Sequence, residues 1–268
     1  SHNGVQTFYL SKDLPLDGCK LGKGYCMLYE ESLVKLGRCV NGWEDYFMAV
    51  CRDCPRRCGV ERPDSFQTAG KMGICSMPFA PVVARAALHF GEEPCISGSR
   101  GSGTIFFSGC SLRCVFCQNY RISTENFGQE VSVFRLREIY DELIAQGAHN
   151  INLVNPTHFV RAIAQSLKEL LPVPVIYNCG GYESVDSLRM LEGKVQIYLP
   201  DFKYVDNQLA IRYSGTADYF EQAGAAIREM VRQTGPYRLD QDGMLCSGVL
   251  IRHLILPGQI QNSKQVID

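Results

Sequence analysis

The 268-residue chain lacks several things, and each absence narrows its chemistry. It has no excess of one charge. Its 27 Lys and Arg stand against 28 Asp and Glu, a net charge of −1, so no basic stripe for nucleic acid is expected. No apolar run approaches the roughly 20 residues of a membrane-spanning helix, so a membrane is not an expected partner either. The first residues lack the charged and apolar regions of an export signal, which makes the cytoplasm the expected compartment. Histidine is scarce, with five in all, and His149, His158 and His253 have no metal-ligand spacing. His158 follows a predicted strand and reads either as a residue facing a substrate cavity or as a helix-start residue. Internal repeats and low-complexity tracts are also missing.

Cysteine, by contrast, is abundant. There are thirteen, and eleven lie at or before Cys117, so the thiols are clustered rather than spread. Disulfide frameworks belong to small secreted domains, whereas clustered thiols in a reducing compartment point to metal. Cys51, Cys54, Cys58 and Cys75 form one set, Cys-x2-Cys-x3-Cys-x16-Cys. Cys110, Cys114 and Cys117 form another, Cys-x3-Cys-x2-Cys. Cys19, Cys26 and Cys39 are widely spaced and read as free thiols or part of a third site. Cys95, Cys179 and Cys246 read as packing thiols.

From residue 104 the pattern alternates between strand and helix. The predicted strands are Thr104–Ser108, Ile151–Val154, Val173–Tyr177, Val195–Leu199 and Gly248–Leu256, with a further strand at Val82–Phe90. The predicted helices are Val131–Gln146, Phe159–Leu171, Val185–Leu191, Tyr219–Gln233 and a shortened one at Ser263–Asp268, besides a short one near Trp43–Val50. Such alternation predicts parallel βαβ units. Five strands and a cut sixth unit do not complete an eightfold barrel, so the expected fold is α/β, an open or partial barrel. Residues 1–95 are expected to form a cysteine-rich, metal-binding N-terminal extension. Residues 96–268 are expected to form the barrel, with its C-terminal part incomplete. In barrels of this kind the chemistry sits at the carboxyl ends of the strands, which here means after Ser108, Val154, Tyr177, Leu199 and Leu256.

The Cys110, Cys114 and Cys117 loop directly follows the first of these strands. Three thiolates so close in sequence can hold three corners of a cuboidal 4Fe-4S cluster, leaving one iron open to a small molecule. The alternatives are a zinc knuckle or buried free cysteines, but zinc favours paired Cys-x2-Cys with a distant fourth ligand. The four-cysteine set fits a closed site that takes either zinc or a further iron–sulfur cluster. Gly98-Ser-Arg-Gly101-Ser-Gly103 is not read as a phosphate loop, because its glycines precede a strand rather than open a helix.

At this triplet the sequence resembles the radical S-adenosylmethionine (SAM) enzymes, in which an aromatic residue, here Phe116, usually precedes the last cysteine. Three later segments look like the pyruvate formate-lyase activating enzyme group: Tyr177-Asn-Cys-Gly-Gly181, Leu199-Pro-Asp-Phe-Lys203 and Arg252-His-Leu-Ile-Leu-Pro-Gly258. The stretch Arg85–Phe107 and the segment beginning at Gly147 look closer to an uncharacterised branch of activating-enzyme homologues, which also carries an N-terminal Cys-x2-Cys-x3-Cys. The resemblance covers roughly residues 51–262. It implies a partial (β/α)6-type radical SAM barrel, with the cluster on the triplet. It also implies SAM contacts from Phe116, Asn178, Cys179, Gly180, Gly181, Asp201, Lys203 and Arg252.

The reaction implied is one-electron cleavage of SAM to a 5′-deoxyadenosyl radical that abstracts hydrogen, with activation of a glycyl-radical enzyme as one use. Modification of another peptide or small molecule, or a non-catalytic scaffold or electron carrier, are the other readings. An electron donor of flavodoxin or ferredoxin type is the implied partner. Two departures stand out: Asn178 occupies a position where the relatives often have Asp, and Asn155-Pro-Thr157 replaces a Gly-Gly-Glu.

Overall fold

Apolar runs without polar interruption become the interior strands, and stripes at helical spacing become the helices that cover them. The structure is a computed structural model and describes residues 50–267. Val82–His89 (β1) runs antiparallel to Ser102–Phe107 (β2), with a short helix at Pro94–Ser97 (α1) between them. A turn of helix at Tyr120–Ser123 (α2) leads to Gln129–Glu130 (β3), which pairs antiparallel with β1.

Alternation then sets in with Val133–Ala145 (α3), Ile151–Val154 (β4), Val160–Ser166 (α4), Val175–Cys179 (β5), Val185–Arg189 (α5) and Ile197–Pro200 (β6). Asn207–Ser214 (α6) and Tyr219–Thr234 (α7) precede a hairpin of Arg238–Leu239 (β7) and Leu245–Val249 (β8), and Ile260–Ile267 (α8) comes last.

The strands make one eight-stranded sheet in the order β3-β1-β2-β4-β5-β6-β8-β7, which is open at both ends. β2, β4, β5, β6 and β8 are parallel neighbours. Parallel pairing demands crossovers, and the helices supply them. In α3 the buried residues are Leu136, Ile139, Tyr140 and Leu143, one face at helical spacing. The side chain of Ser132 caps its first turn by accepting from Arg135 N at 3.0 Å. In α7 the buried stripe is Tyr219, Ala223, Ala226 and Met230, packed toward α5 and β8. Fully burying each large apolar side chain contributes about 1.5–3 kcal/mol, so these stripes hold the helices more firmly than propensity does.

Several expectations need correction. The last parallel strand is Leu245–Val249, not Gly248–Leu256, because β7 folds back on it as a hairpin and pulls the pairing toward the N-terminal side. Beyond it only Arg252 bridges to Asp201, while Leu254 and Ile255 are exposed. β5 ends two residues later than expected, because Asn178 pairs with Leu199 and Cys179 with Pro200. Asn178 and Cys179 therefore belong to the strand, and the turn begins at Gly180. α4 stops at Ser166, short of the expected Leu171. Helix α6 has no counterpart in the sequence reading.

β1 lies on the N-terminal side of residue 96 yet joins the same sheet. The expected helix near 43–50 falls almost wholly outside the described residues, as do Cys19, Cys26 and Cys39. Among the described residues no helix is long and apolar enough to cross a membrane.

Candidate active-site cavity

Register puts the carboxyl ends of the parallel strands in a row. Phe106 pairs with Val154, Val154 with Asn178, and Asn178 with Leu199, so the loops that follow share one edge of the sheet. A cavity of about 190 Å³ opens there. Cys110, Cys114 and Cys117 line it after β2, Asn155 after β4, Asn178 to Gly180 at the end of β5, Asp201 and Lys203 after β6, and Arg252 after β8. All five parallel strands thus deliver residues to one place, as the carboxyl-end rule requires.

The cysteine loop is held from outside by α6. Val115 N donates to Tyr213 O at 2.9 Å and Arg113 N to Ser214 O at 3.3 Å, taking up carbonyls that the helix end leaves free. Leu112 inserts into a cluster with Tyr182, Tyr204 and Tyr219, which pins the middle of the loop. Each thiol then has a polar neighbour. Leu112 N donates to Cys110 Sγ at 3.4 Å, Ser214 Oγ lies 3.0 Å from Cys114 Sγ, and Ser123 Oγ lies 3.3 Å from Cys117 Sγ. Burial pushes the Cys110 thiol up to about 12, with the neighbouring thiols adding to the rise. Burial also raises Cys114, against the pull of the Lys203 ammonium. Burial of the Cys110 and Cys114 thiols works against their ionisation, so a cation or a metal is needed to hold them as thiolates.

Across the cavity stands a charged strap. Asp201 lies between Lys203, whose Nζ donates to Oδ2, and Arg252, whose Nε is 3.4 Å from Oδ1. Burial works to lower the Lys203 pKa, but Asp201 and the thiols outweigh it and leave the ammonium favoured. Arg252 also donates to Asn178 Oδ1 at 2.5 Å and pairs with Glu92 Oε2 at 3.3 Å. Gly181 makes the strap possible. Its φ is +79°, and a Cβ there would lie 2.1 Å from Asp201 O, so only glycine lets the turn close on Asp201. Tyr219 Oη completes the brace, accepting from Lys203 N at 3.0 Å beside the carbonyls of Gly180 and Asp201.

Asn155 has φ +59°, in the left-handed region, and its amide donates to Gly109 O. That hydrogen bond ties the end of β4 to the cysteine loop. After β5, Glu183 is buried, with no cationic partner among the described residues. Thr157 Oγ1 donates to it at 2.7 Å and Tyr177 Oη at 2.9 Å, yet burial raises its carboxyl to about 7. Cys179 lines the cavity and contacts Glu183, and burial raises its thiol far above the ordinary range.

Phe116 is expected to contact SAM, and His158, read as either a cavity group or a helix-start residue, lies in the turn at Thr157–Phe159 that leads into α4. Phe116 does not line the cavity; it packs against the Leu112 cluster. His158 is buried beneath the cysteine loop, with Nε2 2.6 Å from Ser108 O, and burial lowers its pKa to about 3. It is a neutral support for the loop rather than a cavity group. Ser214, Tyr219 and Glu92 have no sequence signal, because each reaches the site across 16 or more residues, while Ser123, only six residues from Cys117, is one the sequence reading misses.

The second cysteine set is also assembled. Cys51 N donates to Val60 O at 2.8 Å and Gly59 N to Cys51 O at 3.1 Å, which turns residues 51–60 back on themselves. Ile74 N donates to Cys58 Sγ at 3.4 Å, which brings Cys75 beside them. The Cys54 thiol is pushed well up by burial, and the Cys75, Cys51 and Cys58 thiols add to the effect. Among the described residues no three His, Cys, Asp or Glu side chains converge closely enough for a single metal ion. A cuboidal cluster spreads its thiolates over separate irons and needs a wider spacing.

No protein-family model matches the chain. It is 29% identical over 219 residues to a protein of Methanocaldococcus jannaschii described only as uncharacterised. The match covers 78% of this chain and 58% of that relative, so the chain spans a little over half of its length.

Proposed function

We propose that this chain is a radical SAM enzyme whose 4Fe-4S cluster sits on Cys110, Cys114 and Cys117, and that its open sheet is the partial barrel of that superfamily. The observation that carries the reading is the cavity itself. Three thiols on one wall face a polar strap of Asn178, Asp201, Lys203 and Arg252 on the other, with free volume between them. The three thiols of the loop fit a cluster with one open iron, with Cys179 on the β5 side of the cavity beside the strap, and the strap fits a zwitterionic ligand. When bound, such a cluster supplies the electron that cleaves SAM into a radical able to take hydrogen from a substrate.

The chain's own residues bind and orient. Lys203 and Arg252 present cations to a ligand carboxylate, Asp201 offers an acceptor to an ammonium, and Asn178 is held in register by Arg252. Buried Leu112, Phe107 and Cys179 keep the floor dry, which protects a reactive species from water. No acid–base pair is required. The substrate class follows the resemblance: a backbone glycine of a partner protein comes first, another peptide or a small molecule second.

The test is product formation. Anaerobically reconstituted wild type, reduced with dithionite, is expected to convert SAM to 5′-deoxyadenosine, and Cys114→Ala is expected to make none. Equal product from the variant contradicts the assignment.

A further inference from the structure

Two arginines clasp the cysteine segments to each other. Arg56, between Cys54 and Cys58, donates to Ser111 O at 2.8 Å, between Cys110 and Cys114. It also reaches Gly215 O at 2.5 Å and Ser214 O at 3.3 Å, at the helix end that holds the triplet loop. Arg113, beside Cys114, reaches in the opposite direction, to Ile74 O at 2.7 Å and Ser76 Oγ at 3.2 Å, the two neighbours of Cys75. Between the clasps the backbones touch. A Cβ on Gly109 would lie 2.7 Å from Cys75 O and 2.3 Å from Met77 Cγ, so the residue before Cys110 must be glycine.

The four-cysteine set has an inside and an outside. Cys51, Cys54 and Cys75 are buried, and the Cys75 carbonyl is the one against Gly109. Cys58 is partly exposed, next to the exposed Ile74. The main-chain groups of Arg56 and Met77 hydrogen-bond Cys54 and Cys75, and buried Arg62 donates to Met77 O at 2.7 Å, two residues beyond Cys75. Fastening alone accounts for the buried thiols and the clasps, but it gives no role to a thiol at the surface joined through the same set to one in backbone contact with the triplet loop.

We propose that Cys51, Cys54, Cys58 and Cys75 hold a second iron–sulfur cluster through which electrons enter, near Cys58, and pass to the triplet site across the Cys75–Gly109–Cys110 contact. The reductant is a low-potential one-electron carrier protein. It is oxidised by one electron, the second cluster is reduced and then reoxidised as the triplet cluster takes that electron, and no atom moves. The relay rests on the proposed function, whereas the occupant of the second site does not.

Metal analysis and Mössbauer spectroscopy of the full chain decide the occupant. Wild type is expected to hold two four-iron clusters and no zinc, and the Cys110, Cys114 and Cys117 triple alanine variant half the iron and sulfide. One cluster plus one zinc in wild type overturns the proposal without touching the triplet reading, and it does so even if the variant fails to fold. The relay is read by rapid-freeze paramagnetic resonance with reduced flavodoxin as donor. Cys54→Ser with Cys58→Ser is expected to slow reduction of the triplet cluster relative to wild type, while dithionite reduces both alike. An unchanged rate with flavodoxin overturns the relay. Two clusters that both ignore SAM would overturn the proposed function and leave the second site standing.

Discussion

The two cysteine sites are built from the same side chain and differ in what surrounds it. The triplet opens on a cavity lined from five strand ends, with cations and amides across from it. The four-cysteine set brings four thiols together, is closed by its own turns, and has arginines in its wall. On the proposed reading the difference is one of vacancy: a cluster with an open corner beside a polar cavity would be arranged for chemistry on a small molecule, and one with all four ligands and an edge at solvent for holding or passing charge.

The largest expected effect divides the two sites outright. Cys114→Ala should abolish the SAM-responsive signal of the dithionite-reduced protein, whereas Cys54→Ala should leave it in place. Loss in both variants would merge the two sites into one and defeat the comparison.

Next comes the strap. Arg252→Met removes a charge-assisted contact to Asn178 and leaves Glu92 and Asp201 without their guanidinium. SAM affinity, measured by equilibrium binding to the reconstituted protein, should fall about tenfold or more. Binding unchanged within error would remove the strap from the ligand site.

Backbone strain supplies a third contrast. Gly181→Ala must displace the Asp201 carbonyl and should cost about 2–3 kcal/mol along with SAM binding. Gly193 has a similar φ, +76°, but nothing within 4 Å, so Gly193→Ala should cost only about 1–2 kcal/mol and leave binding intact. Chemical denaturation of the pair reads the difference.

A pH experiment isolates the buried carboxyl below the cavity. Glu183 is raised to about 7 in the folded chain from an ordinary 4.5, so the folded state holds the extra proton in that window. Its contribution to stability is therefore present at low pH and is lost as pH rises from about 4.5 to about 7. His158 acts in the opposite sense. Lowered to about 3 from an ordinary 6.5, it makes stability fall as pH drops through that range. Glu183→Gln should remove the first slope from a melting-temperature profile and keep the second.

The smallest effect is expected at Ser214. Ser214→Ala deletes the hydroxyl beside Cys114 Sγ, and the cluster potential should become modestly more negative in a spectroelectrochemical titration.

How much of this is legible in the sequence depends on range. Strands β2, β4 and β6 and helices α3 and α7 follow from local apolar patterns, and the triplet declares itself by spacing. The strap is legible only through resemblance, since nothing in Asp201-Phe-Lys203 alone brings it to Arg252. Helix α6 is hidden because it is short and its inward stripe, Leu209, Ala210, Tyr213 and Ser214, holds only two large side chains. With it are lost the Ser214 contact and the anchoring of the cysteine loop. The end of β8 is misread because Val249 to Leu256 is apolar enough for a strand, while the hairpin that decides its pairing lies before it. The arginine clasp spans 37 to 159 residues, beyond the reach of any local pattern.

The most direct test of the central claim is electron paramagnetic resonance of the anaerobically reduced full chain, with and without SAM. The account predicts a cluster spectrum that changes when SAM is added, in wild type and in Cys54→Ala but not in Cys114→Ala. A spectrum indifferent to SAM, from protein shown to carry its clusters, would contradict it and leave a metal-bearing scaffold or electron carrier in its place.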